Sequence, residues 1–268
     1  MTDQRPDNIH RLIKPNSQAL RGRGIYLLPN LFTTAALFAG FYALIAAVNH
    51  QYAASAIAVL VAIVLDGMDG RIARMTNTQS DFGAEYDSLA DMVSFGVAPA
   101  VLAYDWMLHG IGKFGFLVAF VYVSGAALRL ARFNVQKTVQ DKRFFKGLPS
   151  PSAAALVATS IWFADAYQLH EYGAAVVLTL LITVAAALLM VSNIRYYSFK
   201  DLDFRGRIPF VVLLVMVLIF GFVSLDPPLI MMLGFVCYAI SGVVFTLTQL
   251  RRSRAERRRA AARDRDVA

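Results

Sequence analysis

Long apolar runs separated by short polar loops dominate this sequence. The runs are rich in Ala, Leu, Val and Phe, and they do not alternate polar with apolar residues as a membrane β-barrel strand does. Because a backbone in lipid must satisfy its hydrogen bonds within its own segment, each run predicts a helix. The sequence therefore predicts an all-α polytopic membrane bundle of about eight transmembrane helices. The runs cover residues 30–49, 52–74, 82–108, 114–135, 151–168, 173–195, 208–224 and 228–250.

The distribution of basic residues predicts how these helices are oriented. Of the 26 Lys and Arg residues, only Lys113 lies in the set of loops made by residues 49–51, 109–113, 166–172 and 225–228. Cytoplasmic loops carry an excess of Lys and Arg, so we expect the other set of loops and both termini in the cytoplasm.

Composition excludes several other classes of protein. The chain has 268 residues, of which 57% are hydrophobic and 16% charged, whereas soluble domains are about 45–50% apolar and about 25% charged. A soluble domain, a disordered chain and a disulfide scaffold are all excluded, and the single Cys237 has no partner for an intrachain disulfide. The net charge of +8 does not indicate nucleic-acid binding, because the basic residues lie where membrane topology and anionic lipids place them.

Three regions are expected along the chain. Residues 1–26 form a basic cytoplasmic segment without the features of a cleavable signal peptide. Residues 27–250 form the membrane domain. Residues 251–268 form an Arg-rich cytoplasmic tail that we interpret as solvated and close to anionic lipid.

Four aspartates lie where a membrane helix should be apolar. Asp66 and Asp69, spaced i,i+3, lie near the end of the second helix, and Asp87 and Asp91, spaced i,i+4, lie near the start of the third. Each pair projects from one helix face. Because the two helices are consecutive, all four carboxylates are expected to converge on one small volume.

Such a concentration of negative charge in a low dielectric requires cations. Oxygen ligands without nearby Cys or His favour Mg²⁺ or Mn²⁺ over Zn²⁺, and four carboxylates can hold two ions, the arrangement that clamps a phosphoryl group. Gly70 and Ala73 share the face of Asp66, and Gly83 lies one turn before Asp87, so a substrate can approach the backbone closely. Arg74 could pair with a phosphate oxygen.

Aspartates at such positions have two other interpretations. A single Asp near a helix end is commonly solvated or paired with a neighbouring cation, here Arg71 or Arg74. Intramembrane carboxylates also mark cation or proton pathways, as in a cation-coupled transporter. Neither interpretation accounts for four carboxylates at one end of the bundle beside glycines and Arg74.

The spacing of these residues resembles the signature of the CDP-alcohol phosphatidyltransferases, D-x2-D-G-x2-A-R-x8-G-x3-D-x3-D. All eight fixed positions match: Asp66, Asp69, Gly70, Ala73, Arg74, Gly83, Asp87 and Asp91. The resemblance implies that the four aspartates bind two metal ions, with Asp91 as the base that takes the acceptor's proton. It also implies that the CDP-linked donor is bound by Asn30, Thr33, Gly70, Ala73, Arg74, Ser80 and Gly83.

Within this family, other segments resemble the integral-membrane phosphatidylserine synthases of bacteria. They are NTQSDFGAEYDSLADMVSFGVAPA, LRLARFNV, FKGLPSPSAAA and IRYYSFK. The resemblance implies CDP-diacylglycerol and L-serine as substrates and phosphatidylserine and CMP as products. It also implies an inner-membrane location with the active site on the cytoplasmic side, contact with membrane lipids, and compatibility with a homodimer. The alternative within the family is a phosphatidylglycerophosphate or inositol-phosphate type of transferase.

A different phosphatidylserine synthase chemistry is excluded by the histidines. That type uses an H-x-K-x4-D motif, and none of the four His residues here has a Lys two positions later. For the carboxylate of serine, the cationic candidates near helix ends are Arg129, Arg132, Lys146 and Arg195. Any one of these cations taken alone is more simply a topological anchor, and the pairs that we favour as serine contacts are Arg132 with Asn134 and Arg195 with Tyr196.

Overall fold

Each predicted apolar run contains a helix in the computed structural model, which describes residues 17–76, 78, 80–136, 144–169, 173–197 and 210–266. The elements are α1 (Ser17–Val48), α2 (Tyr52–Thr76), α3 (Asp81–Asp91), α4 (Ala98–Trp106), α5 (Lys113–Gln136), β1 (Phe144–Lys146), α6 (Ser150–Ala166), α7 (Gly173–Val191), β2 (Arg195–Tyr197), α8 (Phe210–Val223) and α9 (Pro227–Asp266).

Five of the described helices contain a segment long and apolar enough to cross a membrane. These segments are Leu28–Val48, Tyr52–Thr76, Lys113–Val135, Gly173–Val191 and Pro227–Gln249, and α8 contributes a shorter apolar segment, Val212–Val223. Large apolar side chains on their outer faces, such as Phe38, Phe120 and Leu181, are exposed. The helical fold class is confirmed, and the protein is a multi-pass membrane protein.

Two predicted boundaries fall inside helices. Helix α1 begins at Ser17, before the predicted start of the membrane domain at residue 27, and α9 continues past residue 250 into the predicted tail. The first 16 residues of the predicted basic segment lie outside the described residues, and so do residues 267–268.

Small residues hold the helices close together. Helix α1 packs along α2, and Ala43, Ala47, Ala56 and Ala62 are fully buried in the core. The Ser55 hydroxyl donates to the Ala43 carbonyl oxygen at 2.8 Å. Lipid tails are as apolar as core side chains, so close backbone packing of this kind is what favours helix association in a membrane.

The third predicted run is one helix with an irregular centre. A π-helical turn, Met92–Val97, joins α3 to α4, and such turns are frequent at functional sites. The hydroxyl of Ser94 in this turn donates to the Ala36 carbonyl oxygen at 3.2 Å. This bond fixes α1 against the helix just after Asp91.

A pair of three-residue strands lies at the end of the bundle where α2 ends and α3 begins, which we call the carboxylate end. Strands β1 and β2 are antiparallel and pair Lys146 with Arg195. Gly147 follows β1 with φ of +84°, and its N–H donates to the Ile194 carbonyl oxygen at 2.8 Å. A Cβ at this position would collide with the carbonyl oxygen of Met190, so the turn requires glycine.

Candidate active site

The four predicted aspartates lie together at the carboxylate end. One carboxylate oxygen from each of Asp66, Asp69 and Asp87 lies within 4.8 Å of the others. Asp91 is joined to Asp66 by a side-chain hydrogen bond and interacts electrostatically with Asp87. We call these four residues the carboxylate cluster. The convergence that the helical spacing predicts is therefore present.

The local fold explains why the two pairs face each other. Helix α3 begins within five residues of the end of α2, and both helices pack against α1, which brings the end of α2 and the start of α3 to one place. Ser80 is the N-cap of α3, and its Oγ accepts a hydrogen bond from the Gly83 N–H at 3.0 Å. An N-cap of this type satisfies one of the free N–H groups of the first turn.

Helix α1 contributes a direct contact to the cluster. The Thr33 hydroxyl donates to Asp69 Oδ2 at 2.7 Å, and Asp69 is only 6% exposed. The sequence places Thr33 near the donor, but it does not reveal this bond. A carboxylate held in this way has fewer accessible orientations, so Thr33 orients the Asp69 side chain.

Asn30, Ser80 and Gly83 form a narrow cradle beside the cluster. A Cβ added to Gly83 would lie 3.1 Å from Ser80 Oγ and 3.3 Å from Asn30 Oδ1. Close by, Thr34 Oγ1 and the Tyr86 hydroxyl are hydrogen-bonded at 2.9 Å. The start of α3 is therefore packed closely against α1 by polar groups.

The remaining predicted donor contacts lie along the last turns of α2. Arg74 interacts electrostatically with Asp69, and its Nη1 would lie 3.5 Å from a Cβ on Gly70. Ala73 is half-buried and Arg74 is exposed. The space beside Gly67 is open, because a Cβ there would have no neighbour within 4 Å. This face of α2 can accept a ligand and offer it a cation.

Arg132 and Tyr196, two of the residues predicted to contact serine, bond to other parts of the protein. Arg132 donates to the Val191 carbonyl oxygen at 3.3 Å and to Asn193 Oδ1 at 2.5 Å, at the end of α7. The buried Tyr196 donates its hydroxyl to the Ala239 carbonyl oxygen at 3.1 Å. Arg132 thus joins α5 to the end of α7, and Tyr196 joins β2 to α9.

Of the other two residues predicted to contact serine, Asn134 has a described side chain and Arg195 does not. Asn134 Nδ2 donates to Ser88 Oγ at 3.0 Å, and Ser88 follows Asp87 directly, so Asn134 lies next to the cluster. Arg195 pairs through its backbone in β2, and its side chain lies outside the described part of the structure.

Among the cationic candidates with described side chains, Arg129 lies near the carboxylate cluster. It interacts electrostatically with Asp91 and Asp66, and its Nη1 donates to Ser150 Oγ at 2.5 Å. Its guanidinium carbon lies 5.8 Å from the centre of the Phe133 ring. The available signal was depth: Arg129 lies seven residues, or about 10 Å, before the end of α5 at Gln136. A cation this far inside a membrane helix is seldom only an anchor.

The donor set of the cluster fits a hard cation. The three converging groups are carboxylates, and groups in this arrangement could hold a metal ion. Oxygen-only ligation of this kind suits Mg²⁺ and Mn²⁺. The arrangement can therefore concentrate positive charge next to a bound phosphate.

Comparison with known proteins identifies the class. The model of the CDP-alcohol phosphatidyltransferase family matches residues 26–192, which include α1 to α7 apart from the first residues of α1. The chain therefore belongs to the CDP-alcohol phosphatidyltransferase family.

Similar curated proteins carry a more specific name. A CDP-diacylglycerol–serine O-phosphatidyltransferase of Helicobacter pylori (strain 26695) is 40% identical over 196 residues, which are 73% of this chain and 82% of that protein. The Bacillus subtilis (strain 168) protein of the same name is 32% identical over 174 residues, 65% of this chain and 91% of that protein. A Mycobacterium tuberculosis (strain H37Rv) protein, also of that name, is 37% identical over 156 residues, covering 55% of this chain and 54% of that protein.

Proposed function

We propose that this protein transfers the phosphatidyl group of CDP-diacylglycerol to the hydroxyl of L-serine and releases CMP. The observation that carries the proposal is the carboxylate cluster with Arg129 beside it, in a member of this family whose relatives bear that name. The family membership supports the donor class, and the relatives' names support serine as the acceptor.

Asp91 is the proposed base. It accepts the proton of the serine hydroxyl as the hydroxyl oxygen attacks the β-phosphorus of the donor. The new bond joins serine oxygen to phosphorus, and the bond from phosphorus to the oxygen of CMP breaks. A carboxylate is a weak base for an alcohol, so proton transfer must be late in this step.

Asp66, Asp69, Asp87 and Asp91 are the proposed ligands for two Mg²⁺ or Mn²⁺ ions. When bound, such ions supply positive charge that stabilises phosphate oxygens and the leaving CMP. Thr33 supports this assignment because it holds Asp69 in one orientation.

The donor's CDP group is proposed to lie between α1 and the facing ends of α2 and α3. Asn30, Ser80 and Gly83 form the cradle described above, and the small side chains of Gly70 and Ala73 are proposed to let the nucleotide approach the backbone of α2. Arg74 is proposed to pair with the phosphates of the CDP group. Thr33 is proposed to act indirectly, by orienting the Asp69 carboxylate through its hydrogen bond.

For the acceptor we propose Arg129 as the partner of the serine carboxylate, with Asn134 nearby. The electrostatic interaction of Arg129 with Asp91 supports this choice. Arg132 and Tyr196 are proposed to position α7, β2 and α9 around the site, since their polar groups bond to those elements. A serine contact by Arg195 stays a prediction.

The membrane orientation proposed for the protein rests on the Lys and Arg content of its loops. Eight spans, both termini in the cytoplasm and a cytoplasmic active site in the bacterial inner membrane agree with the distribution of Lys and Arg. The division of the chain into three regions, with boundaries after residues 26 and 250, stays a prediction. The formation of a homodimer also stays a prediction.

The deciding experiment measures CMP release by the purified protein in defined detergent. We expect release that requires CDP-diacylglycerol, L-serine and Mg²⁺ or Mn²⁺ together, and that EDTA abolishes. Single replacements of Asp66, Asp69, Asp87 or Asp91 by Asn should each abolish it, while the variants still insert into the membrane.

The acceptor and the class of protein are tested in the same assay. Faster CMP release with glycerol 3-phosphate or inositol phosphate than with serine would refute the serine assignment and leave the family membership intact. Failure to release CMP with any acceptor, together with cation uptake by reconstituted vesicles, would instead favour a transporter.

A further inference from the structure

An apolar groove with a volume of about 520 Å³ lies between α6, α8 and α9. Helix α9 lines it with Ile230, Met231, Gly234 and Phe235, and Val223 closes it at the end of α8. These four residues and Tyr238, which also lines the groove, belong to the segment Pro227–Gln249, which is long and apolar enough to cross a membrane. The groove is therefore a surface that lipid hydrocarbon can reach.

The groove follows the direction of the helices. Its α9 lining extends from Ile230 to Tyr238, eight residues that correspond to about 12 Å along the helix axis. Its outer end lies near the turn between α8 and α9. Tyr167, at the end of α6, is hydrogen-bonded there to Asp226, which fixes α6 beside the start of α9.

The other end of the groove lies next to the carboxylate cluster. Ser152 and Tyr238 line that end. Ser152 is two residues after Ser150, whose Oγ accepts a hydrogen bond from Arg129. Arg129 interacts electrostatically with both Tyr238 and Asp91. Arg129 therefore links the Tyr238 end of the groove electrostatically to the proposed base.

We propose that this groove holds one acyl chain of the CDP-diacylglycerol donor while its phosphates lie at the carboxylate cluster. The inference rests on the proposed function, which requires a lipid whose head is at the cluster and whose chains are in the membrane. The family match ends at residue 192, so it does not include α8 or α9, and the groove adds a substrate contact made by the last two helices.

A second apolar groove is less suited to this role. It has a volume of about 700 Å³ and lies between α6 and α7, from Val157 to Ala164 on α6 and from Ala174 to Thr183 on α7. These residues belong to the last half of α6 and the first half of α7. They therefore lie toward the end of the bundle opposite the cluster.

Two glycines provide a matched test. A Cβ on Gly234, in the groove, or on Gly221, on α8 outside it, would have no neighbour within 4 Å. Gly234→Phe should therefore fill the groove without displacing protein atoms, and Gly221→Phe should add the same side chain facing lipid. We expect Gly234→Phe to raise the KM for dioleoyl CDP-diacylglycerol by about tenfold or more, equivalent to at least about 1.4 kcal/mol.

The chain length of the donor provides the internal control. With dihexanoyl CDP-diacylglycerol, whose chains are too short to fill the groove, Gly234→Phe should change KM less than about twofold, and Gly221→Phe should behave like the wild type with both donors. Equal KM values for the dioleoyl donor in the two variants would overturn the proposal.

Photolabelling tests occupancy without turnover. A CDP-diacylglycerol that carries a diazirine near the end of one acyl chain should label peptides containing Ile230 and Met231. An excess of unlabelled CDP-diacylglycerol should suppress this labelling, and phosphatidylcholine should not. Labelling that both lipids suppress equally would mean that the groove takes bulk lipid only, and the proposal would fail.

The outcomes also separate the groove from the proposed function. The wild-type protein could show no serine-dependent CMP release and still be labelled in a way that CDP-diacylglycerol suppresses. This result would refute serine as the acceptor and support the groove as an acyl-chain site. Normal serine-dependent release with unsuppressed labelling would retain the function and refute the groove.

Discussion

At the scale of single residues, the site depends on a few polar contacts between helices. Thr33 belongs to α1 and Asp69 to α2, 36 residues apart, yet their side chains are hydrogen-bonded at 2.7 Å. Replacing a partner that orients a metal ligand typically lowers metal affinity or activity by about 10- to 100-fold. The role of Thr33 can therefore be separated from that of the aspartates by experiment.

Replacing Thr33 with Val removes the hydroxyl and keeps the shape of the side chain. We expect the Mg²⁺ concentration for half-maximal activity to rise by about 10- to 100-fold, because Asp69 loses the donor that orients it. Titration of activity with Mg²⁺ measures the change. Thr33→Ser retains the donor and should remain within about threefold of the wild type, and equal titrations for Val and Ser would contradict the proposed role.

Arg129 and Arg132 allow a direct comparison of two cations on one helix. Arg129→Ala should raise the KM for serine, because a hydrogen bond to a charged group contributes about 1.5–3 kcal/mol, equivalent to about 10- to 150-fold. The KM for CDP-diacylglycerol should change little. Steady-state kinetics with each substrate varied in turn measures both values.

Arg132→Ala is the matched control, since Arg132 donates to carbonyl oxygens at the end of α7. We expect it to lower thermal stability with no selective effect on serine. A selective loss of serine affinity in this variant, with none in Arg129→Ala, would restore the ranking that the sequence alone favoured.

The sequence could predict the members of the cluster but not its supports. Helical spacing is enough to place Asp66 with Asp69 and Asp87 with Asp91. The bond from Thr33 and the proximity of Arg129 to Asp91 depend on how α1 and α5 are rotated about their axes. Helices that are apolar on every side leave that rotation undetermined, because no amphipathic face identifies the inward side.

At the scale of elements, the sequence predicts the long helices but not the π-helical turn or the two short strands. Eight apolar runs indicated the helices, since nearly every residue in them is compatible with lipid. The π-helical turn at Met92–Val97 carries no distinct pattern in an apolar run. Strands β1 and β2 have three residues each, too few for an alternation of polar and apolar side chains to be recognised.

The turn after β1 provides a test of this short pair. Gly147→Ala should destabilise the protein by about 1–3 kcal/mol, because the residue has φ of +84° and a Cβ would collide with the Met190 carbonyl oxygen. Thermal unfolding in detergent measures the loss. Gly173→Ala is the control, since a Cβ at the start of α7 meets nothing within 4 Å. Equal stability of the two variants would contradict the constraint on Gly147.

At the scale of the whole molecule, orientation in the membrane decides which substrates can reach the cluster. In a background where the exposed Cys237 is replaced by Ser, a cysteine at Gly110 should react with an impermeant thiol reagent applied from the periplasm. A cysteine at Gln140, which lies outside the described residues, should react only after detergent opens the membrane. The opposite pattern would place the cluster outside the cell and contradict the proposed function.

The global arrangement was therefore predictable in part. The helical fold class follows from the apolar runs along the chain, whereas the count of eight spans and their orientation stay predictions. The groove between α6, α8 and α9 does not follow from these runs, because it depends on how the last two helices pack on α6, and the apolar residues of α8 and α9 specify burial in lipid or protein equally well.

The spacing between Gly83 and Asp87 also constrains the phase of helix α3. The N-cap bond from the Gly83 N–H to Ser80 and the hydrogen bond between Thr34 and Tyr86 fix the start of α3 against α1, which opposes a rotation that would compensate for a change further along. One residue inserted between Gly83 and Asp87 would rotate everything after it by about 100° about the helix axis. Asp87 and Asp91 would then point away from Asp66 and Asp69 although every residue of the site was still present. The number of residues between these positions is thus as much a part of the site as their identity.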